Sequence, residues 1–127
     1  NYKNAAVDAQ AVAFIDNMAE AYSEADLLIA RAGATTVSEL AAAGVASILI
    51  PYPHAVDDHQ TGNARFLSET GAAILIPQSE LTPSGLSSLL AQFNRPALAA
   101  MAVKARALGK PDAASIVADT CEAVARA

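Results

Sequence analysis

The chain has 127 residues, of which 54% are apolar and 5% aromatic, and it carries a formal charge of -5. That is material for one compact domain whose core is built from small and aliphatic side chains, which points away from a β-sandwich and towards helix-containing architectures. The 8 basic residues are scattered, without the interleaved aromatics that stack on bases, so nucleic acid is excluded as the expected partner.

The single cysteine, Cys121, rules out an internal disulfide and a thiol pair for metal or redox work, and it fits a reducing, cytosolic compartment. Cys121 falls in the last predicted helix and reads as a small core residue. No apolar run reaches the ~20 residues that span a bilayer. The opening Asn1-Tyr2-Lys3-Asn4 has neither an initiating Met nor a signal-peptide pattern, so the chain is expected to be a piece of something longer.

In chain order, Asp16 is placed to cap a helix running to about Ser23, with Phe14 and Ile15 in the turn ahead of it. Three apolar runs follow, at 25–30 (ADLLIA), 46–50 (ASILI) and 72–76 (AAILI). They lack polar alternation and read as strands buried on both faces, the habit of a parallel sheet. The stretches 35–43 and 58–70 between them are helix-like, and Gly44 and Gly71 stand where helix C-caps are expected. The echo between GVASILIP and GAAILIP reflects repeated β-α architecture.

Three helices are predicted next. Thr82-Pro83 opens one, with Leu86, Leu89, Leu90 and Phe93 on a face. Leu98, Met101, Ala105 and Leu108 mark the second. Pro111-Asp112 opens the third, whose apolar side holds Ile116, Val117, Thr120 and Val124. The fold class is therefore α/β, a Rossmann-like parallel sheet with flanking helices. Three strands beside so much helix make a thin sheet, and further strands are expected upstream of residue 1.

In an open α/β sheet, ligands bind beyond the C-terminal ends of the strands. After the first strand comes Arg31-Ala32-Gly33-Ala34-Thr35-Thr36-Val37-Ser38-Glu39, a glycine turn among small residues that enters a helix. The unpaired N–H groups of such a helix start favour phosphate or hydroxyl oxygens. Thr35 and Glu39, four apart, share a helix face, and a carboxylate there suits a sugar diol better than a phosphate. A second reading stays open: Thr36 to Glu39 matches the capping box T-x-x-E, in which Glu39 closes the helix start. Arg31 likewise fits either a ligand contact or a solvated surface residue.

After the second strand, the Pro51 to Asp58 loop leads into His59-Gln60-Thr61-Gly62-Asn63. Gln60 and Asn63, three apart, are neutral amides that donate and accept, as sugar hydroxyls require, although exposed amides are also ordinary helix furniture. Asp57 or Asp58 can be an N-cap. His54 and His59, separated by four residues across a loop, do not amount to a zinc site. No metal site, cofactor or catalytic residue is assigned in this chain.

Taken together, FIDNM, RAGATTVSELAAAG, the IPYPH loop, DDHQTGNA and the PDAA helix resemble the MurG-type glycosyltransferases over nearly the whole chain. The resemblance implies the later part of the C-terminal, donor-binding domain of a two-domain GT-B enzyme, with residues 1–127 a single domain and the acceptor domain absent. It further implies that UDP-N-acetylglucosamine is the donor. The Ile15 main chain would meet the uracil edge, and Glu39 the ribose hydroxyls. Ala34 and Thr35 would approach the diphosphate and sugar, Gln60 and Asn63 would bind the N-acetylglucosamine hydroxyls, and Arg31 matches the family's arginine. His59 departs from the pattern, since some members carry a second Gln there.

The implied reaction is an inverting transfer to the lipid I acceptor, forming lipid II in peptidoglycan synthesis. The general base would lie on the acceptor domain, so this chain alone is expected to be inactive. The implied location of the whole enzyme is cytoplasmic, peripheral on the inner membrane. The alternatives are the donor subunit of another GT-B or split glycosyltransferase, or a noncatalytic α/β interaction module.

Overall fold

The computed structural model describes residues 7–54 and 58–126. Two sequence expectations lie outside those residues: Asp57 as a helix cap, and the reading of Asn1 to Asn4. Three strands form one parallel sheet in the order β1-β2-β3: β1 (Leu28–Ala30), β2 (Ser47–Leu49) and β3 (Ala73–Leu75). The register runs Leu28↔Ser47↔Ala73, Ile29↔Ile48↔Ile74 and Ala30↔Leu49↔Leu75. The echoing GVASILIP and GAAILIP segments thus lie side by side in β2 and β3. All of β2 is buried, the polar Ser47 along with Ile48 and Leu49, as the central strand of a parallel sheet requires.

Helix α1 (Met18–Glu24) precedes β1, α2 (Ala34–Ala43) links β1 to β2, and α3 (His59–Ser68) links β2 to β3. The cap of α1 is Asn17 and not Asp16. Asn17 Oδ1 accepts from the Glu20 N–H at 3.2 Å, and its amide donates back to the Glu20 carboxylate at 3.0 Å. A neutral side chain that both accepts and donates satisfies two partners at once there, whereas a carboxylate at 16 would offer acceptors alone. Gly44 is the C-cap of α2 as expected, with φ of 72°, whereas α3 is capped by Glu69 and Gly71, two residues on, turns the chain left-handed with φ of 73°. In each case the following residue closes the turn: Val45 N–H donates to the Leu40 carbonyl and Ala72 N–H to that of Leu67. This is the left-handed ending that a side chain would strain.

Leu40 of α2, Leu49 of β2 and Leu67 of α3 are fully buried in one cluster, while Ile48, also fully buried, lies on the other face of β2. The core therefore lies where α2 and α3 cover the sheet, and each such side chain stabilises it by about 1.5–3 kcal/mol.

After β3 a 3-10 turn (Gln78–Glu80) leads into α4 (Pro83–Leu90), α5 (Arg95–Leu108) and α6 (Ala113–Ala125). Thr82 caps α4 by accepting from the Gly85 N–H, and Asn94 caps α5 by accepting from that of Ala97. Of the face predicted for α5, Ala105 is buried against α2 and Leu108 packs on the core. One expectation for α6 needs correction: Cys121 is exposed rather than part of a core. The apolar side read from the sequence is exposed as well, with Ile116, Val117 and Val124 open to solvent. A helical period tells which side of a helix is apolar but not whether anything packs on it.

Candidate functional site

The C-terminal ends of the three strands open onto the loops singled out above. Gly33 caps α2 with extended backbone (φ -62°, ψ 148°) and has no side chain to bond the helix start. The first helical hydrogen bond runs from the Val37 N–H to the Gly33 carbonyl, 3.0 Å, so the N–H groups of Ala34, Thr35 and Thr36 precede the helix ladder. No acidic residue stands in this first turn, which leaves the positive end of the helix dipole unopposed. A Cβ at Gly33 would come no closer than 3.7 Å to another atom, Thr36 Oγ1. Internal packing therefore does not require glycine there.

Because α2 starts from Gly33, Thr36 lies inside the helix and is not its cap. The T-x-x-E capping-box reading of Glu39 is thereby overturned: the pattern occurs one turn too late to reach the N–H groups it would close. The Glu39 carboxylate instead accepts a hydrogen bond of 2.6 Å from the hydroxyl of Tyr22, across the contact between α1 and α2. Tyr22 is 7% exposed, while Glu39 is exposed. Burial, with the Glu39 carboxylate beside it as a lesser cause, pushes the Tyr22 hydroxyl up to about 12. The phenol thus keeps its proton and acts as donor at every physiological pH. Both residues line a cleft of about 480 Å³ together with Met18, Ala19, Ala42 and Ala43.

Tyr22 was not singled out from the sequence. The available signal was indirect, in that a buried phenol needs an acceptor, and nothing in the local pattern tied it to a carboxylate 17 positions away.

Arg31, at the exit of β1, is a loop-ordering residue. Its Nη1 donates to the carbonyls of Ile50 at 3.3 Å and Pro51 at 3.1 Å, and its guanidinium lies 5.7 Å from the centroid of the Tyr52 ring. Two carbonyls and a cation–π contact fix the start of the loop after β2 to the end of β1.

The two amides also hold backbone. Gln60 Oε1 accepts from the Tyr52 N–H at 2.9 Å, and Asn63 Nδ2 donates to the Ala32 carbonyl at 3.0 Å. These bonds engage one end of each amide and leave Gln60 Nε2 and Asn63 Oδ1 outside them. Asp58 caps α3 with left-handed backbone (φ 51°), and its carboxylate accepts from the Thr61 hydroxyl at 2.6 Å rather than from a backbone N–H.

The seven residues expected at the site do not converge in one pocket. Ala34 and Asn63 line a common cleft between α2 and α3, with Val37, Ser38, Gly62 and Phe66. Glu39 faces the cleft towards α1. Arg31 lines a third hollow beside Ile50, Gln78 and Leu81. Thr35 is exposed on α2, and Gln60 sits in the first turn of α3. Ile15 is exposed in the irregular segment three residues ahead of α1. Among the described residues, no three His, Cys, Asp or Glu side chains gather into a group that could hold a metal ion, and no helix is long and apolar enough to cross a membrane.

Comparison with known proteins places this arrangement. Residues 1–117 match the model of the glycosyltransferase family 28 C-terminal domain. The chain is 63% identical over 121 residues to the UDP-N-acetylglucosamine--N-acetylmuramyl-(pentapeptide) pyrophosphoryl-undecaprenol N-acetylglucosamine transferase of Nitrosospira multiformis, covering 95% of this chain and 34% of that protein. It is 61% identical over 130 residues to the transferase of the same name from Ralstonia nicotianae, covering all of this chain and 36% of that one. The chain thus spans about a third of the length of these curated relatives. The crystal structure of Acinetobacter baumannii MurG superposes with a TM-score of 0.84 at 54% identity, covering 87% of this chain and 32% of that one. With the family model matched over most of its length and the β-α-β-α-β arrangement shared with a solved member, the chain belongs to the glycosyltransferase family 28 C-terminal domain family.

Proposed function

We propose that this chain is the donor-binding part of an inverting UDP-N-acetylglucosamine transferase, and that residues 1–127 form one domain of that enzyme. The observation that carries the reading is the β1–α2 junction: a helix start with uncapped N–H groups and no acidic neighbour, followed on the same helix by the exposed Glu39 carboxylate. The first part suits a diphosphate, because the N–H groups and the helix dipole favour negative charge. The second suits the ribose diol, because a carboxylate accepts from two hydroxyls and repels anions.

Ala34 and Thr35 approach the diphosphate, the Ile15 main chain meets the uracil edge, and the free ends of Gln60 and Asn63 meet sugar hydroxyls. Arg31 shapes the loop that carries Tyr52 and, through the Tyr52 N–H, Gln60. In the transfer, the acceptor hydroxyl attacks the anomeric carbon, that carbon's bond to the diphosphate oxygen breaks, and UDP leaves. The charge gathering on the diphosphate is stabilised by the donors at the start of α2. The acceptor is a lipid-linked sugar, lipid I in the reading argued from the sequence, and it engages the part of the enzyme outside this chain, at the cytoplasmic face of the inner membrane. The general base belongs to that part as well.

Calorimetric titration of UDP in the presence of EDTA tests the reading. A hydrogen bond to a charged group contributes about 1.5–3 kcal/mol, so Glu39→Ala is expected to weaken UDP roughly ten- to a hundredfold. Equal affinity of parent and variant, or no binding by the parent, overturns it.

A further inference from the structure

We propose that Tyr22 is a positioning residue for nucleotide recognition: its hydroxyl, donating to Glu39 Oε2 at 2.6 Å, fixes the carboxylate so that its remaining lone pairs meet a vicinal diol and select ribonucleotides over deoxyribonucleotides. The inference rests on the reading of Glu39 as the acceptor of the ribose hydroxyls.

Glu39 is exposed on α2, and an exposed glutamate is free to populate many rotamers, an entropy that is lost when a ligand has to fix it. Tyr22 removes that freedom before any ligand arrives. Its ring is buried, the helix carrying it packs on α2, and its hydroxyl donates to the carboxylate oxygen. A short bond from a hydroxyl to a charged acceptor is among the stronger hydrogen bonds available.

The same bond accounts for selectivity. A carboxylate has about four acceptor positions, and Tyr22 occupies one on Oε2. What it leaves is Oε1 and the outer side of Oε2, a pair of acceptors at the spacing of two adjacent hydroxyls. A sugar lacking one hydroxyl leaves a fixed, partly desolvated oxygen without a donor, and such an unmade bond costs more than an absent one. If the carboxylate were mobile, it would turn the spare oxygen to water and the discrimination would fade.

Calorimetry with UDP and 2'-deoxy-UDP on the parent, Tyr22→Phe, Glu39→Ala and the double variant tests this, with thermal melts of each to establish folding. Tyr22→Phe keeps the ring and removes only the donor. It is expected to weaken UDP about three- to tenfold and to shrink the penalty for the missing 2'-hydroxyl, while in the Glu39→Ala background it changes UDP affinity by less than about twofold. Glu39→Asp draws the carboxylate back by one methylene, away from the Tyr22 donor and from the diol alike, and so tests whether the placement of the carboxylate sets the discrimination at all. It too is expected to lose most of the 2'-hydroxyl discrimination.

Equal weakening of both nucleotides by Tyr22→Phe overturns the positioning role, since that is what a purely structural contact between α1 and α2 would give. An undiminished deoxy penalty in Tyr22→Phe, or in Glu39→Asp should Tyr22→Phe melt below the assay temperature, overturns it as well. Parent-like UDP binding by Glu39→Ala refutes the ribose reading itself, whatever Tyr22→Phe does.

Discussion

The unit from α1 to β3 and the three helices after it are built from similar proportions of apolar residues and are packed very differently. Among the described residues, every buried apolar side chain except Ala105 lies between Tyr22 and Ala73. There, α2 and α3 bury Val37, Leu40, Ala64 and Leu67 against strands that are themselves apolar. Helix α4 buries no residue fully, α5 buries one, and α6 none. The loops of the candidate site therefore spring from the part of the molecule that carries most of the buried core. The last helices are attached to it chiefly through the packing of α5 on α2.

Three substitutions, one in each region and one at the seam, measure that contrast. The largest effect is expected in the first region: Leu40→Ala, at a fully buried position, should lower unfolding free energy by about 2–5 kcal/mol in urea titrations. A loss below 1 kcal/mol would mean that the sheet unit is far looser than its burial implies.

An intermediate effect is expected at the seam. A Cβ at Gly109, just past α5, would stand 2.7 Å from the Ala41 carbonyl oxygen, and both sides of that contact are backbone. Gly109→Ala should therefore cost about 1–3 kcal/mol, because α5 must shift away from α2. Protection of the α5 amides in hydrogen exchange should fall more than protection of the β2 amides. Equal loss in both would make the two regions a single cooperative unit.

The smallest effect is expected on α6. Ile116→Ser removes an apolar side chain that is 53% exposed, and its melt should stay within about 0.5 kcal/mol of the parent.

How far the sequence could be read follows from the same contrast. The three strands and the helices between them are legible because a buried parallel strand is a short apolar run and a left-handed helix ending needs glycine, both local facts. The α6 stripe is equally clear in the periodicity, yet the exposure of Ile116, Val117 and Cys121 depends on what lies opposite, which no residue of α6 encodes. At the site, the β1–α2 turn and the residues at its exits were visible as small residues and polar groups after a strand. The capping-box pattern misled because it assumed a start at Thr36, whereas the chain already turns helical after Gly33, one turn earlier. The bonds of Arg31, Gln60 and Asn63 to backbone from other segments, and the Tyr22–Glu39 pair, arise from tertiary contact. Side-chain type shows only that such a partner is needed.

The order β1-β2-β3 has a kinetic consequence. Spatial order and chain order coincide, so each strand joins a neighbour that precedes it directly in the sequence, and none has to be inserted between two that are already paired. The loop to be closed at each step is a single helical crossover, and the entropy of closing a loop rises only slowly with its length. Folding rates follow this locality of contacts, so the sheet is of the kind that grows by one unit at a time. β2 is the strand on which both pairings depend. The docking of α2, which carries the chain from β1 to β2, is therefore the contact on which the shape of the β1–α2 turn depends.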